Sequence, residues 1–275
     1  MKIQELEQKA LAIRKDIVEI IYRGDTGHIG GDLSVTDILV DLYYRQMNIA
    51  PQRMQDPNRD RFILSKGHSV EALYAILADR GFFSKQELMN TYAKFGSNFI
   101  GHPNNKIPGI EVNSGSLGHG LSVGVGMALA GKMDEKSYRV YVVLGDGECA
   151  EGSVWEAVMA SSQYKLDNLT AFVDRNRLQI SGTTEAVMHQ DNAEARWAAF
   201  GWNVLSIAGN DMTAIDDAVD LAKHTKGKPT VIIAQTIKGC GVSFIENQVA
   251  WHHKVPTTEQ YQMAMRELEE KRVSL

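Results

Sequence analysis

Cysteine is scarce: Cys149 and Cys240 are the only two in 275 residues, and neither belongs to a Cys-x-x-Cys pattern. A disulfide framework and a cysteine zinc site are excluded, and two free thiols fit a reducing cytoplasm. Long apolar runs are missing as well. Stretches such as Val140 to Leu144 and Thr230 to Ala234 fall far short of the roughly 18 residues of a membrane span. The opening MKIQELEQKALAIRKD carries charges throughout and reads as no signal peptide. Nor does charge of one sign prevail. The 29 Lys and Arg against 34 Asp and Glu leave a net charge of −5 spread along the chain, without the basic stripe that nucleic acid requires. An acidic substrate must therefore be held by a local site.

What is present is ordinary globular composition, 44% hydrophobic and 23% charged, long enough for one large domain or two small ones. Ile3, Leu6, Ala10, Ile13, Ile17 and Ile20 recur in steps of three and four, which predicts an amphipathic helix ending near Gly24. A second helix is expected from Leu33 to Tyr44, with Ser34 near its start, and Pro51 and Pro57 bound a loop. RFILS at 61–65 reads as a short buried strand, followed by helix from Ser69 to Arg80. From 96 to about 117, glycines with Pro103 and Pro108 interrupt all periodicity, the pattern of a functional loop region. RVYVVL, LTAFVD, WNVLSI and TVIIAQT then follow, separated by helical segments around 151–164, 191–200 and 211–224. Apolar strands alternating with helices predict an α/β fold, a parallel sheet of five to six strands with helices on both faces. With no repeat and no linker, residues 1–275 are expected to form a single domain.

Ligands of such sheets sit beyond the carboxyl ends of the strands. There RVYVVL runs into Gly145, Asp146, Gly147 and Glu148. Two glycines around an Asp let backbone approach a phosphate while the carboxylate faces a cation; an isolated GDG is equally an ordinary turn. Just past LTAFVD stands Asn176, and neighbouring strands would let Asp146 and Asn176 share one metal with the Leu178 carbonyl. These hard oxygens suit Mg²⁺, which completes its octahedron with phosphates, although Asn in such a loop is also a common turn former.

The segments GHIGG (27–31), RFILSKGH (61–68), GHP (101–103), GSLGHGLSVGVGMA (115–128), GDGECAEGSVWEA (145–157), DRNRLQISG (174–182), KGCG (238–241) and WHHK (251–254) together resemble the transketolase family. GDG followed at a distance by Asn176 resembles the thiamine-diphosphate fingerprint within it. The resemblance covers the diphosphate-binding (PP) domain, the N-terminal third to half of a full-length member. It implies thiamine diphosphate with Mg²⁺, replaceable by Ca²⁺ or Mn²⁺, and metal ligands Asp146, Asn176 and Leu178. It further implies a second chain carrying the pyrimidine-binding domain, which supplies the activating glutamate. Two copies of each chain in a heterotetramer, with the cofactor at their interface, are the expected assembly.

His28, His68, His102 and His252 each adjoin Gly, Pro or Trp in loop-like sequence, where a packing role is harder to justify than for a histidine on a helix. By resemblance His68 and His252 look toward the diphosphate, while His28, His102 and His252 line the substrate entrance as catalytic groups that take and return protons. Gly115, Ser116 and Leu117 look like a loop beneath the thiazolium ring, entering a Gly/Ala-rich helix; GHGLSVG is no dinucleotide motif, since no strand precedes it. Gly147 and Lys238 are expected at the diphosphate. Glu151 heads the helix after GDG, where a carboxylate suits the helix dipole, and its family position suggests a link to the partner chain. His119 departs from the family's usual Gln, and Gly31 stands where some relatives have a small hydroxyl residue. His189, His224 and His253 read as structural or surface residues.

The implied activity is transfer of a two-carbon ketol unit from a ketose to an aldose, both phosphorylated or otherwise anionic. Alternatives are a deoxyxylulose-phosphate synthase, the α chain of an oxoacid dehydrogenase, or a cofactor-binding module without activity. WHHK and KGCG speak for transketolase.

Overall fold

A computed structural model of the chain describes residues 1–190 and 192–274. The amphipathic N-terminal stripe forms α1 (Ile3–Gly24), whose Leu6, Ile13, Ile17 and Ile20 face the core. α2 follows as Ile29–Asp41, starting four residues before the expected Leu33. Gly30 and Gly31 disfavour helix by propensity, but this helix is buried on every side, and there glycine admits close neighbours. A Cβ on Gly30 would stand 2.7 Å from the Trp251 carbonyl, and one on Gly31 2.8 Å from Ser69 Oγ. Ser34 is consequently no cap; its hydroxyl donates to Asp174 Oδ2 at 2.6 Å.

β1 (Arg61–Leu64) leads through the Lys66–His68 loop into α3 (Val70–Asp79) and α4 (Lys85–Thr91). No helix or strand interrupts 92–119, as the broken periodicity predicts. α5 (Gly120–Met133), β2 (Val140–Gly145), α6 (Gly152–Gln163) and β3 (Leu169–Arg175) then alternate. A small antiparallel hairpin, β4 (Leu178–Gln179) with β5 (Gly182–Thr183), follows. The chain continues through α7 (Thr184–Val187), α8 (Ala193–Ala199), β6 (Asn203–Ala208), α9 (Met212–His224), β7 (Thr230–Gln235) and α10 (Thr258–Ser274). The helix expected over 191–200 is thus α8; residue 191 lies outside the described residues. α4, the β4–β5 hairpin and α10 have no counterpart in the sequence reading. α10 covers α1, with Tyr22 stacked on Tyr261 at 4.2 Å.

The sheet has five parallel strands in the order β1-β2-β3-β7-β6. Side chains alternate between its faces with period two. Tyr141, Val143, Phe172 and Ile232 join the core beneath α1, α2, α3 and α9, while Val142, Leu144, Ala171 and Ile233 pack under α5, α6 and α8. The crossover from β6 back to β7 reverses the winding, so right-handed connections place α9 opposite α6. Because both faces are covered, the strands carry little but Val, Ile, Leu, Ala and Phe, and polar groups collect at their ends. No helix among the described residues is long and apolar enough to cross a membrane.

Candidate functional site

Over the carboxyl ends of β1, β2, β3 and β7 lies a cavity of about 450 Å³. Each strand delivers a polar residue to it. At the end of β2, Asp146 is buried; its Oδ1 accepts from the Gly147 amide at 2.8 Å and its Oδ2 from the Arg177 amide at 2.5 Å. Burial, with Asp174 nearby, pushes the Asp146 carboxyl up to about 6. After β3, Asn176 turns its Oδ1 to the Leu178 amide at 3.1 Å, a turn made possible by Arg177 in the left-handed region at φ 64°. Beyond β7, Lys238 is almost wholly buried and donates to the Leu178 carbonyl at 2.9 Å. Its Nζ also lies 2.9 Å from His252 Nδ1.

Among the described residues Lys238 forms no ion pair, and burial with the Lys66 charge lowers it to about 8. A buried cation whose partners are a carbonyl and an imidazole calls for an anion. The oxygens of Asp146, Asn176 and Leu178 converge on the same cavity. Each already accepts a protein hydrogen bond, but carboxylate, amide and carbonyl oxygens keep further acceptor capacity. No cluster of three or more His, Cys, Asp or Glu suited to a metal occurs among the described residues. A cation here would therefore depend on Asn176, the Leu178 carbonyl and a ligand's own oxygens. With those included, the donor set fits Mg²⁺ and a diphosphate.

His68, His102 and His252 line the same cavity, and His28, which does not line it, packs against all three. His28 lies 5.4 Å from His68, 6.1 Å from His102 and 5.7 Å from His252, centroid to centroid. Burial, then neighbouring cationic groups, lowers His28 to about 4 and His252 to about 3. His68 falls well below the ordinary imidazole range and His102 below it, both chiefly by burial. Four neutral imidazoles at neutral pH can each donate from one nitrogen and accept at the other.

Gly115, Leu117, Gly147 and Glu151 also line the cavity. Glu151 stands exposed at the head of α6. Ser116 and His119 turn outward into a separate hollow, with Oγ and Nδ1 3.5 Å apart. His189, His224 and His253 are exposed, and the His253 ring also lies 4.6 Å from that of His28. A larger hollow of about 630 Å³ beside Phe95 contains none of these residues.

Three buried charges escaped the sequence reading. Lys66 pairs with Asp174, which also accepts from Ser34 and Thr236. Glu148 accepts from Ser65, from the Gly118 amide at 2.9 Å and from the Gly145 amide at 3.0 Å, tying three loops together. The available signal was a charged residue within three residues of the end of an apolar strand.

The family model described as the transketolase, thiamine diphosphate binding domain matches residues 6–268. The chain belongs to the transketolase family. It is 52% identical over 271 residues to a protein of Phocaeicola vulgatus named as one subunit of an apulose-4-phosphate transketolase, covering 98% of this chain and 96% of that protein. It is 43% identical to the 6-deoxy-6-sulfo-D-fructose transketolase subunit SqwG of a Clostridium species, covering 96% of each. A transketolase crystal structure from Pichia stipitis superposes with a TM-score of 0.88 at 30% identity, over 97% of this chain but 40% of that one. The chain thus spans about two fifths of the solved transketolase. The α/β fold with its parallel sheet and the thiamine diphosphate-binding family, both read from sequence, are borne out.

Proposed function

We propose that this chain is the diphosphate-binding subunit of a two-chain transketolase. With thiamine diphosphate and Mg²⁺ it would transfer a two-carbon ketol unit from a phosphorylated or otherwise anionic ketose to an aldose. The observation that carries the reading is Lys238, a buried cation without an ion-pair partner among the described residues, set beside hard oxygen donors and four neutral imidazoles. That combination suits an anionic cofactor tail at one end and a polyhydroxylated substrate at the other.

Asp146, Asn176 and the Leu178 carbonyl would hold the cation. Lys238, His68, His252 and the Gly147 backbone would face the diphosphate, with Gly115 and Leu117 beneath the ring and Ser116 turned away from it. Bound thiamine diphosphate supplies the carbon nucleophile and the electron sink. The chain's own task is to bind, orient and move protons. His28, His102 and His252 would hydrogen-bond the sugar hydroxyls, and one imidazole would take the proton of the hydroxyl whose oxygen becomes the carbonyl, then return it to the acceptor's aldehyde oxygen. The Lys66–Asp174 pair and Glu148 would keep the strand ends rigid without touching substrate.

The diphosphate-binding residues would form one domain, with the pyrimidine domain on a partner chain that Glu151 contacts. What supports a split assembly is that the relatives covered over nearly their full length are designated subunits. Those relatives' names pair transketolase with a sugar phosphate in one case and a sulfonated sugar in the other, which favours an anionic substrate here. Co-expression with the partner chain, followed by a ketol-transfer screen over phosphorylated and sulfonated ketoses, tests the reading. Failure of every donor with cofactor and Mg²⁺ present would overturn it.

A further inference from the structure

The three loops that carry His28, His68 and His102 are fastened to one helix. His68 directly precedes α3, and Tyr74 on α3 donates its hydroxyl to the carbonyls of Ile100 at 3.0 Å and His102 at 3.2 Å. Glu71, also on α3, lies beneath the approach to His28: a Cβ on Gly27 would come 2.9 Å from Glu71 Oε1. Facing it is Asp32 in the first turn of α2, whose amide donates to the His28 carbonyl at 3.2 Å and whose Oδ1 accepts from the Ala72 amide at 2.9 Å. Both carboxyls have no exposure at all. Their remaining oxygens, Asp32 Oδ2 and Glu71 Oε2, have no hydrogen-bond partner among the described residues, and the amide that Asp32 accepts from belongs to Ala72, the residue next to Glu71.

Two ionised carboxylates are acceptors only and repel. A single proton between them would satisfy both orphaned oxygens at once. We propose that Asp32 and Glu71 share one proton, and that this acid pair is a positioning element fixing the His28 loop against the His68 loop. The groups around it agree. The Tyr92 hydroxyl donates to Glu71 Oε1, Tyr74 lies near on α3, and the neighbouring cation Lys66 is already paired with Asp174. Burial, then the Glu71 charge, raises Asp32 well above the usual carboxylate range, and burial raises Glu71 as well. Neither residue belongs to the cation or diphosphate site, so the pair acts on chemistry only through the histidine loops it joins.

Infrared difference spectroscopy of the full chain at neutral pH tests the shared proton. The carbonyl stretch of a protonated carboxylic acid should be present and should vanish in Asp32→Asn and in Glu71→Gln, where an amide N–H takes the proton's place. A band unchanged in both variants overturns the shared proton. Positioning is read separately by NMR of the His28 imidazole, which should keep its shifts in Glu71→Gln and lose them in Glu71→Ala. In the enzyme saturated with cofactor, Glu71→Ala should raise KM about tenfold with a smaller change in kcat, since binding geometry is disturbed more than chemistry. Where the alanine variant does not fold, Glu71→Met keeps the bulk, removes both oxygens and carries the same expectation. Identical His28 shifts in Gln and Ala or Met variants overturn the positioning role. The KM readout rests on the function proposed above; the infrared and imidazole readouts do not, so the two failures are distinguishable.

Discussion

Lys238 Nζ and His252 Nδ1 stand 2.9 Å apart beyond the end of β7. A protonated lysine can only donate, so the imidazole accepts at Nδ1 and carries its proton on Nε2. The contact ties two cavity-lining groups together, so an anion that drew Lys238 away would also free the His252 nitrogen. Burial first, and then the Lys238 charge, hold His252 at about 3, neutral at every working pH.

Lys238→Met should weaken thiamine diphosphate binding by about 2 kcal/mol or more, the order expected when one partner of a buried charge pair is removed. The pH dependence has a definite sign. Lys238 sits at about 8 in the chain without its anion, and a diphosphate raises it, so binding takes up protons near that pH and affinity falls as pH climbs past it. Calorimetry on the assembled enzyme should find that slope in the native protein and a flatter one in Lys238→Arg, which stays charged. Equal slopes would remove Lys238 from the diphosphate site.

Asp146→Ala should cost about 2 kcal/mol or more of cofactor affinity in the presence of Mg²⁺. Chelation of the metal should weaken native binding while leaving the mutant nearly unchanged, because the carboxylate acts through the cation. Additive losses from mutation and chelation would mean that the GDG segment is only a turn.

His28→Ala and His102→Ala should each lower kcat/KM roughly 10²-fold or more, within the range of positioned acid–base groups. Cofactor affinity should barely move. A variant that lost thiamine diphosphate yet kept normal turnover at cofactor saturation would refute the substrate role.

The sheet was legible because strands covered on both faces announce themselves as unbroken apolar runs; RFIL, VYVVLG and TVIIAQ lie where they were read. The start of α2 was not, since Gly30 and Gly31 lower local helix propensity and only the packing of Trp251 and Ser69 against them explains why they are tolerated. Of the cavity residues, Asp146, Gly147 and the loop histidines stood out by their glycines and loop context, while Leu117, Glu151 and Lys238 were named chiefly by the family resemblance. Their supports could not be named: the Lys66–Asp174 pair joins residues far apart in sequence, and the strand order that brings β1, β2 and β3 side by side is a tertiary fact. Ser116 shows the converse limit. It is flanked by two cavity residues, yet a single backbone turn points it into another hollow.

Alone, this chain should be nearly inactive, and ketol transfer should appear when the partner chain is added. The cavity rim shows why. Ile180, Val187 and Met188 line the cavity and are 67%, 44% and 59% exposed, an apolar lip on an otherwise charged site of the sort that marks an interaction surface. Glu151 stands beside it at the head of α6, exposed and without a side-chain capping bond. A partner seated here would cover the lip, exclude water from the cofactor ring and face Glu151. Closed two-fold symmetry then favours two copies of each chain. Size-exclusion chromatography with light scattering, run on the chain alone and with its partner, gives the stoichiometry, and a ketol-transfer assay on the same fractions gives the rate. Met188→Asp and Ile180→Asp should weaken assembly and lower activity together, with little effect on the thermal stability of the chain alone, since both side chains are exposed there. Full turnover by the purified single chain, or assembly indifferent to both substitutions, would overturn this arrangement.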